Sequence, residues 1–138
     1  MLQLLLGLVL FLGMHSVSIV ALPLRDAFAA KSEIGWKVAY GLVSLIGLIL
    51  ISRGYAELRL TPTVLYVAPF WLHHVAALLL LPVFALFVAP YFPGRISRRM
   101  GHPQLVAVKL WAAAHLLVNG TLADVLLFGT FLAWAVVD

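Results

Sequence analysis

The 138-residue chain is 64% hydrophobic and only 10% charged, with a mean hydropathy of +1.12 and a formal net charge of +4. A soluble domain of this size cannot bury so much apolar surface, and the chain has no cysteine. A soluble enzyme domain, a disordered chain, a disulfide scaffold, thiol catalysis and cysteine-type zinc sites are therefore excluded. What fits is an all-α polytopic membrane helix bundle of about five transmembrane helices, forming one domain over residues 1–138 at about 20 apolar residues per crossing. The Lys and Arg residues read as loop charges that set topology, so no nucleic-acid partner is expected.

Five apolar segments follow in chain order, from about Leu2 to Leu24, Trp36 to Tyr55, Leu65 to Tyr91, Gln104 to Val118 and Leu122 to Val137. Backbone groups in lipid must be satisfied internally, and runs of this length without period-two alternation choose helices over barrel strands. The first segment is expected to be retained and not cleaved as a signal. No Lys or Arg precedes it, and it is too long and carries a histidine. Pro82 should bend the third segment by removing one backbone donor. The fourth and fifth segments are short and meet at Asn119-Gly120-Thr121, a turn signal that predicts a tight hairpin. Arg25, Lys31, Lys37, Arg95, Arg98 and Arg99 fall on one side of the membrane, and Arg53 and Arg59 on the other. That asymmetry predicts a cytoplasmic location for the richer side, hence a periplasmic N-terminus and a cytoplasmic C-terminus. Trp36, Tyr91 and Trp134 at one interface, with Tyr55, Tyr66 and Trp71 at the other, complete an aromatic belt.

The informative residues of such a chain are the polar ones at depth, because burying them in lipid is expensive. His15 lies about 13 Å from the cytoplasmic end of its segment, and His115 about 16 Å from the same side, at 1.5 Å of rise per residue. Two neutral imidazoles at one depth on different helices suit the axial positions of a haem iron. They equally suit hydrogen bonding between helices. His73 and His74 are expected roughly 12–14 Å below Leu65, and since adjacent helical residues point about 100° apart they cannot both share one site. His102 belongs to a cytoplasmic loop. Lys109 is expected to snorkel toward headgroups, or else to pair with a ligand carboxylate such as a haem propionate. Arg95, Arg98 and Arg99 suit anionic lipid. Asp124 is expected in the first turn of its helix, favoured by the helix dipole. Arg53 and Glu57, spaced i,i+4, are expected to pair. The run Ala112-Ala113-Ala114 admits a neighbouring helix or leaves room for a flat cofactor beside His115.

Pro93-Gly94-Arg95-Ile96, His102-Pro103, and the run from Lys109-Leu110-Trp111 through His115 to Asn119-Gly120 together resemble the NnrU family. Phe128-Gly129-Thr130-Phe131-Leu132-Ala133-Trp134-Ala135 continues the likeness. Gly13-Met14-His15-Ser16, Gly41-Leu42-Val43-Ser44-Leu45 and Arg53-Gly54-Tyr55 extend it to the early part. The resemblance covers nearly the whole chain and is most specific over residues 93–134. It implies a bacterial inner-membrane protein associated with denitrification and nitric-oxide metabolism. The family is similar to the 15-cis-zeta-carotene isomerase of plants and cyanobacteria, a membrane enzyme containing haem b. Its haem-ligand motifs match His15-Ser16 and Trp111-x-x-x-His115, so the resemblance implies haem b held by His15 and His115. Two departures stand out. Ala112 occupies the position where the isomerase carries a ligand-switching Cys, and the sequence ends after the fifth segment where relatives usually continue with a basic tail.

Two functions follow as expectations. One is a haem-b protein acting in redox chemistry or redox-dependent isomerisation, with a hydrophobic small molecule as a possible substrate and the lipid bilayer as its surroundings. The other is a non-catalytic accessory or assembly subunit bound to other membrane subunits. A transporter is weakly supported without an inverted repeat. A methyltransferase reading of Arg99-Met100-Gly101-His102-Pro103 lacks accompanying acidic and aromatic residues.

Overall fold

The computed structural model describes all residues from 1 to 138. The chain is all-α and forms two compact units, Met1–Thr61 and Pro62–Asp138. Three helical stretches are long and apolar enough to cross a membrane: Leu2–Val20, Glu33–Leu60 and Leu72–Tyr91. Two shorter apolar helices, Pro103–Val118 and Leu122–Val137, correspond to the fourth and fifth segments of the sequence.

The first unit contains α1 (Leu2–Val20), α2 (Leu22–Lys31) and α3 (Glu33–Leu60). Helix α1 stops at Ala21, whose ψ of 48° leaves the helical region. Pro23 opens α2, where a missing backbone donor is harmless. Residues 25–35, which join the first two apolar segments, were expected as a loop, and residues 25–31 belong instead to α2. They are helical because the turn at Ala21 restarts the chain and no breaker follows Pro23. Ser32 then caps α3, its hydroxyl accepting from the Gly35 N–H at 3.0 Å.

Helices α1 and α3 touch backbone to backbone. A Cβ placed on Gly7 would lie 2.5 Å from the Ile51 nitrogen and 2.7 Å from the Gly47 oxygen. One on Gly47 would lie 2.8 Å from the Phe11 nitrogen, and one on Gly54 would strike the Leu4 backbone. In lipid no hydrophobic force draws two helices together, so close approach at small residues supplies the packing. Leu4, Leu8 and Leu12 fill the seam from α1, and Ile51 from α3. The outer faces stay apolar and open; Val9 is 70% exposed. That pattern is suited to lipid and would be a liability in water.

The second unit contains α4 (Leu72–Leu80), α5 (Val83–Val88), a 3-10 turn at Ala89–Tyr91, α6 (Arg95–Met100), α7 (Pro103–Val118) and α8 (Leu122–Val137). At Pro82, where a bend was expected, the third segment divides into α4 and α5 while the backbone at Leu81 and Pro82 remains right-handed helical. Helices α4 and α5 pack on α7, which packs on α8. Val83, Leu86 and Ala107 form a buried cluster covered by Leu80, Val106, Leu110 and Trp111. Ala112 and Ala114 are fully buried, consistent with a tight helix neighbour.

The third segment starts later than its hydropathy suggested. Residues 61–71 are not helical, because Pro62 and Pro69 cannot donate in a helix interior. This stretch pairs instead with the α7–α8 turn. The Leu65 and Tyr66 N–H groups donate to the Gly120 carbonyl at 2.7 and 3.1 Å, and the Leu122 N–H donates to the Thr63 carbonyl at 2.8 Å. Gly120 is required here, since a side chain would collide with the Tyr66 carbonyl. Asp124 sits where expected, in the first turn of α8, and forms a reciprocal cap with Thr121. The pair Arg53–Glu57 does not form, whereas Glu33 and Lys37 meet at 3.0 Å. The difference follows helix polarity, which favours the acid N-terminal to the base.

Candidate functional site

The first unit carries His15 in the C-terminal half of α1, about 8 Å from its end at Val20 and not the roughly 13 Å expected, because the helix stops before Leu24. Its Nδ1 lies 2.7 Å from the Phe11 carbonyl oxygen one turn earlier. A carbonyl only accepts, so Nδ1 must hold the ring proton and Nε2 the lone pair. The ring is fixed further by Phe11, stacked at 4.3 Å between centroids, and by Tyr40 of α3 at 5.3 Å. Trp36 follows Tyr40 at 6.0 Å, and Phe28 follows Trp36 at 6.2 Å. An aromatic row thus runs from the C-terminal half of α1 to α2.

The second unit carries His115 on α7. Phe128 of α8 stacks on it at 4.5 Å and 14°, and Trp111 meets it edge-on at 5.5 Å. Trp111 also meets Phe128 and Phe131 edge-on at 5.1 and 5.5 Å. The Asn119 Nδ2 lies 3.4 Å from His115 Nδ1. Donation from that amide puts the ring proton on Nε2. Rotating the amide by 180° presents Oδ1 instead, moves the proton to Nδ1 and leaves the lone pair on Nε2. Asn119 is itself anchored, because the Tyr66 hydroxyl donates to the carbonyls of Leu116 and Asn119, the latter at 2.9 Å. The buried Asp124 carboxylate accepts from the Thr121 hydroxyl at 2.6 Å and the Thr121 N–H at 3.1 Å.

Lys109 is half-buried on α7 and has no carboxylate within ion-pair distance. His73 and His74 differ from their expected depth. The helix begins at Leu72 instead of Leu65, so both lie in its first turn and are exposed. His73 Nδ1 meets the Phe70 carbonyl at 3.1 Å, and the Phe70 ring lies beside both imidazoles. His102 caps α7, its carbonyl accepting from the Leu105 N–H at 3.1 Å. Tyr66, Asn119 and Phe128 were expected as interface, turn and family-motif residues and not as partners of a histidine, and Tyr40 was not singled out. Only Asn119 carried a local signal, its i+4 spacing from His115; the others are brought in by packing.

No group of three or more His, Asp or Glu side chains gathers to hold a metal. A haem iron would need only nitrogen donors from the protein: His15 could supply Nε2 in its present tautomer, and His115 could do so once Asn119 turns its oxygen to Nδ1. A comparison with protein families matches residues 3–138, across both units, to the family described as NnrU protein. Comparison with curated proteins and with solved structures gave no match.

Proposed function

The chain belongs to the NnrU family, and from that premise we propose that it binds haem b through His15 and His115 in the bacterial inner membrane. The observation that supports this best is the His15 Nδ1 contact with the Phe11 carbonyl at 2.7 Å. A hydrogen bond on one ring nitrogen, orienting the other, is the arrangement that metal-bound histidines use. Asn119 serves His115 in the same way once its side-chain amide turns Oδ1 to Nδ1, which holds the proton there and leaves Nε2 for the iron. Phe11 and Phe128 stack on the two rings and restrain their orientation. Lys109, unpaired within the protein, suits a propionate.

When bound, the haem supplies one-electron redox chemistry, linked to nitrogen-oxide metabolism or to redox-dependent isomerisation of a hydrophobic molecule. The N-terminus then faces the periplasm and the C-terminus the cytoplasm. An accessory subunit is the second reading. The open apolar faces of α1 and α3 favour it, since a membrane partner would cover them as readily as lipid. The test is the absorption spectrum of purified protein, oxidised and reduced, after haem reconstitution. His15→Ala and His115→Ala should each lose the haem bands, and His73→Ala should keep them. No Soret band in the unaltered protein, or bands that persist in both ligand variants, would overturn the proposal.

A further inference from the structure

Within the first unit, the end of α1, the length of α2 and the start of α3 border an open cavity of about 500 Å³. Ser18 lines it from α1, Arg25 and Ala29 from α2, and Glu33, Trp36, Lys37 and Tyr40 from α3. The α3 residues are spaced i, i+3, i+4 and i+7, so one face of that helix supplies a carboxylate, a cation and two aromatic rings. Arg25 and Ala29, spaced i,i+4, present one face of α2 to the same space. Two cations from different helices therefore converge on one volume, with aromatic walls beside them. This lies at the end of the membrane-length helices α1 and α3.

The charges are only partly satisfied. Arg25 makes one ion-pair contact, Nε to the adjacent Asp26 at 3.5 Å, which leaves its terminal nitrogens for another acceptor. Lys37 meets Glu33 at 3.0 Å, in a pair whose side chains are more than two-thirds exposed. An exposed pair of this kind is easily exchanged for a better acceptor. Guanidinium and ammonium groups together suit a phosphate. Phe28, stacked on the lining residue Trp36 at 6.2 Å, is about half exposed and gives an apolar flank for acyl chains. The volume falls in the usual range for small-ligand sites, about 300–1,000 Å³.

We propose that this cavity is a binding site for the phosphate of an anionic phospholipid, held by Arg25 and Lys37 against Trp36 and Tyr40, with the acyl chains along the α2–α3 flank. The site adjoins His15 through Tyr40, whose ring lies 5.3 Å from the imidazole, and does not require haem. Glu33 is its competitor: it holds Lys37 when no lipid is bound and yields it to the phosphate.

Native mass spectrometry of the detergent-purified full chain tests this. The probes are phosphatidylglycerol, phosphatidylcholine with the same acyl chains, and inorganic phosphate. Phosphatidylglycerol should be retained over phosphatidylcholine. Arg25→Gln with Lys37→Gln should weaken that retention by about fivefold for each cation and about twenty-five-fold together. Arg53→Gln with Arg59→Gln, on α3 but outside the cavity, should leave it unchanged. Glu33→Gln keeps both cations and frees Lys37, so it should raise retention, which guards against a loss caused by misfolding. Equal retention of the two lipids, full preference in the Arg25/Lys37 variant, loss of preference in the Arg53/Arg59 variant, or weaker retention in Glu33→Gln would each overturn the site. Binding of inorganic phosphate as tight as that of phosphatidylglycerol would overturn the lipid in favour of a free anion.

Discussion

Replacing Gly7 by Ala tests the packing of α1 on α3 most sharply. The new methyl carbon would stand 2.5 Å from the Ile51 nitrogen, 2.7 Å from the Gly47 oxygen and 2.8 Å from Ile51 Cγ1. Ordinary contact begins at 3.4 Å, so the helices must part by about 0.9 Å, or α1 must slide along its partner. Two of the three colliding atoms are backbone and cannot rotate away. Overpacking of this kind costs roughly 1–3 kcal/mol. Against it stands the helix preference for Ala over Gly, about 1 kcal/mol in the opposite direction. The net expectation is destabilisation by up to about 2 kcal/mol. Gly41→Ala on α3 is the control, since a Cβ there meets nothing within 4 Å. It should be neutral or stabilising by up to about 1 kcal/mol. Unfolding in mixed micelles of mild detergent and dodecyl sulfate, followed by helical circular dichroism, reads both. A Gly7→Ala variant as stable as Gly41→Ala would refute the close helix crossing.

Tyr66→Phe removes the hydroxyl that donates to the Leu116 and Asn119 carbonyls, and should lower the stability of the second unit by about 1 kcal/mol. Burial, reinforced by the Asp124 carboxylate, pushes the Tyr66 phenol above its ordinary value. Its folded pKa then exceeds the unfolded one, so its contribution is complete below about pH 10 and lost as the pH rises through the raised value. The unaltered chain should therefore lose stability in that alkaline window more steeply than Tyr66→Phe, as read by thermal unfolding across pH. Equal slopes would remove the hydroxyl from the account. Thr121→Ala takes away the side chain that caps α8 from its Asp124 N–H and should cost about 1 kcal/mol. Hydrogen exchange at the first turn of α8 should rise with it, and unchanged protection there would count against the cap.

Periodicity and composition determined much of this protein. The apolar runs, the break at Pro82, the hairpin at Asn119-Gly120-Thr121 and the place of Asp124 were all legible, because each depends on residues within one or two helical turns. His15 and His115 were singled out for the same reason, as polar side chains inside apolar stretches. Pro62 and Pro69 also lay in plain view, yet the continuous hydropathy around them outweighed the missing donors, and His73 and His74 were set too deep. The tertiary structure decided what hydropathy cannot carry. Gly7, Gly47 and Gly54 look like weak helix residues until α1 lies against α3 and turns them into its contact surface. Tyr66 reaches the α7–α8 turn across fifty residues of chain, and Arg25 and Lys37 share a cavity only because α2 folds back along the start of α3. Local patterns set which segments become helices, since backbone hydrogen bonding is local. Which atoms meet depends on shape complementarity between distant surfaces, and no single window of sequence contains both sides of a contact.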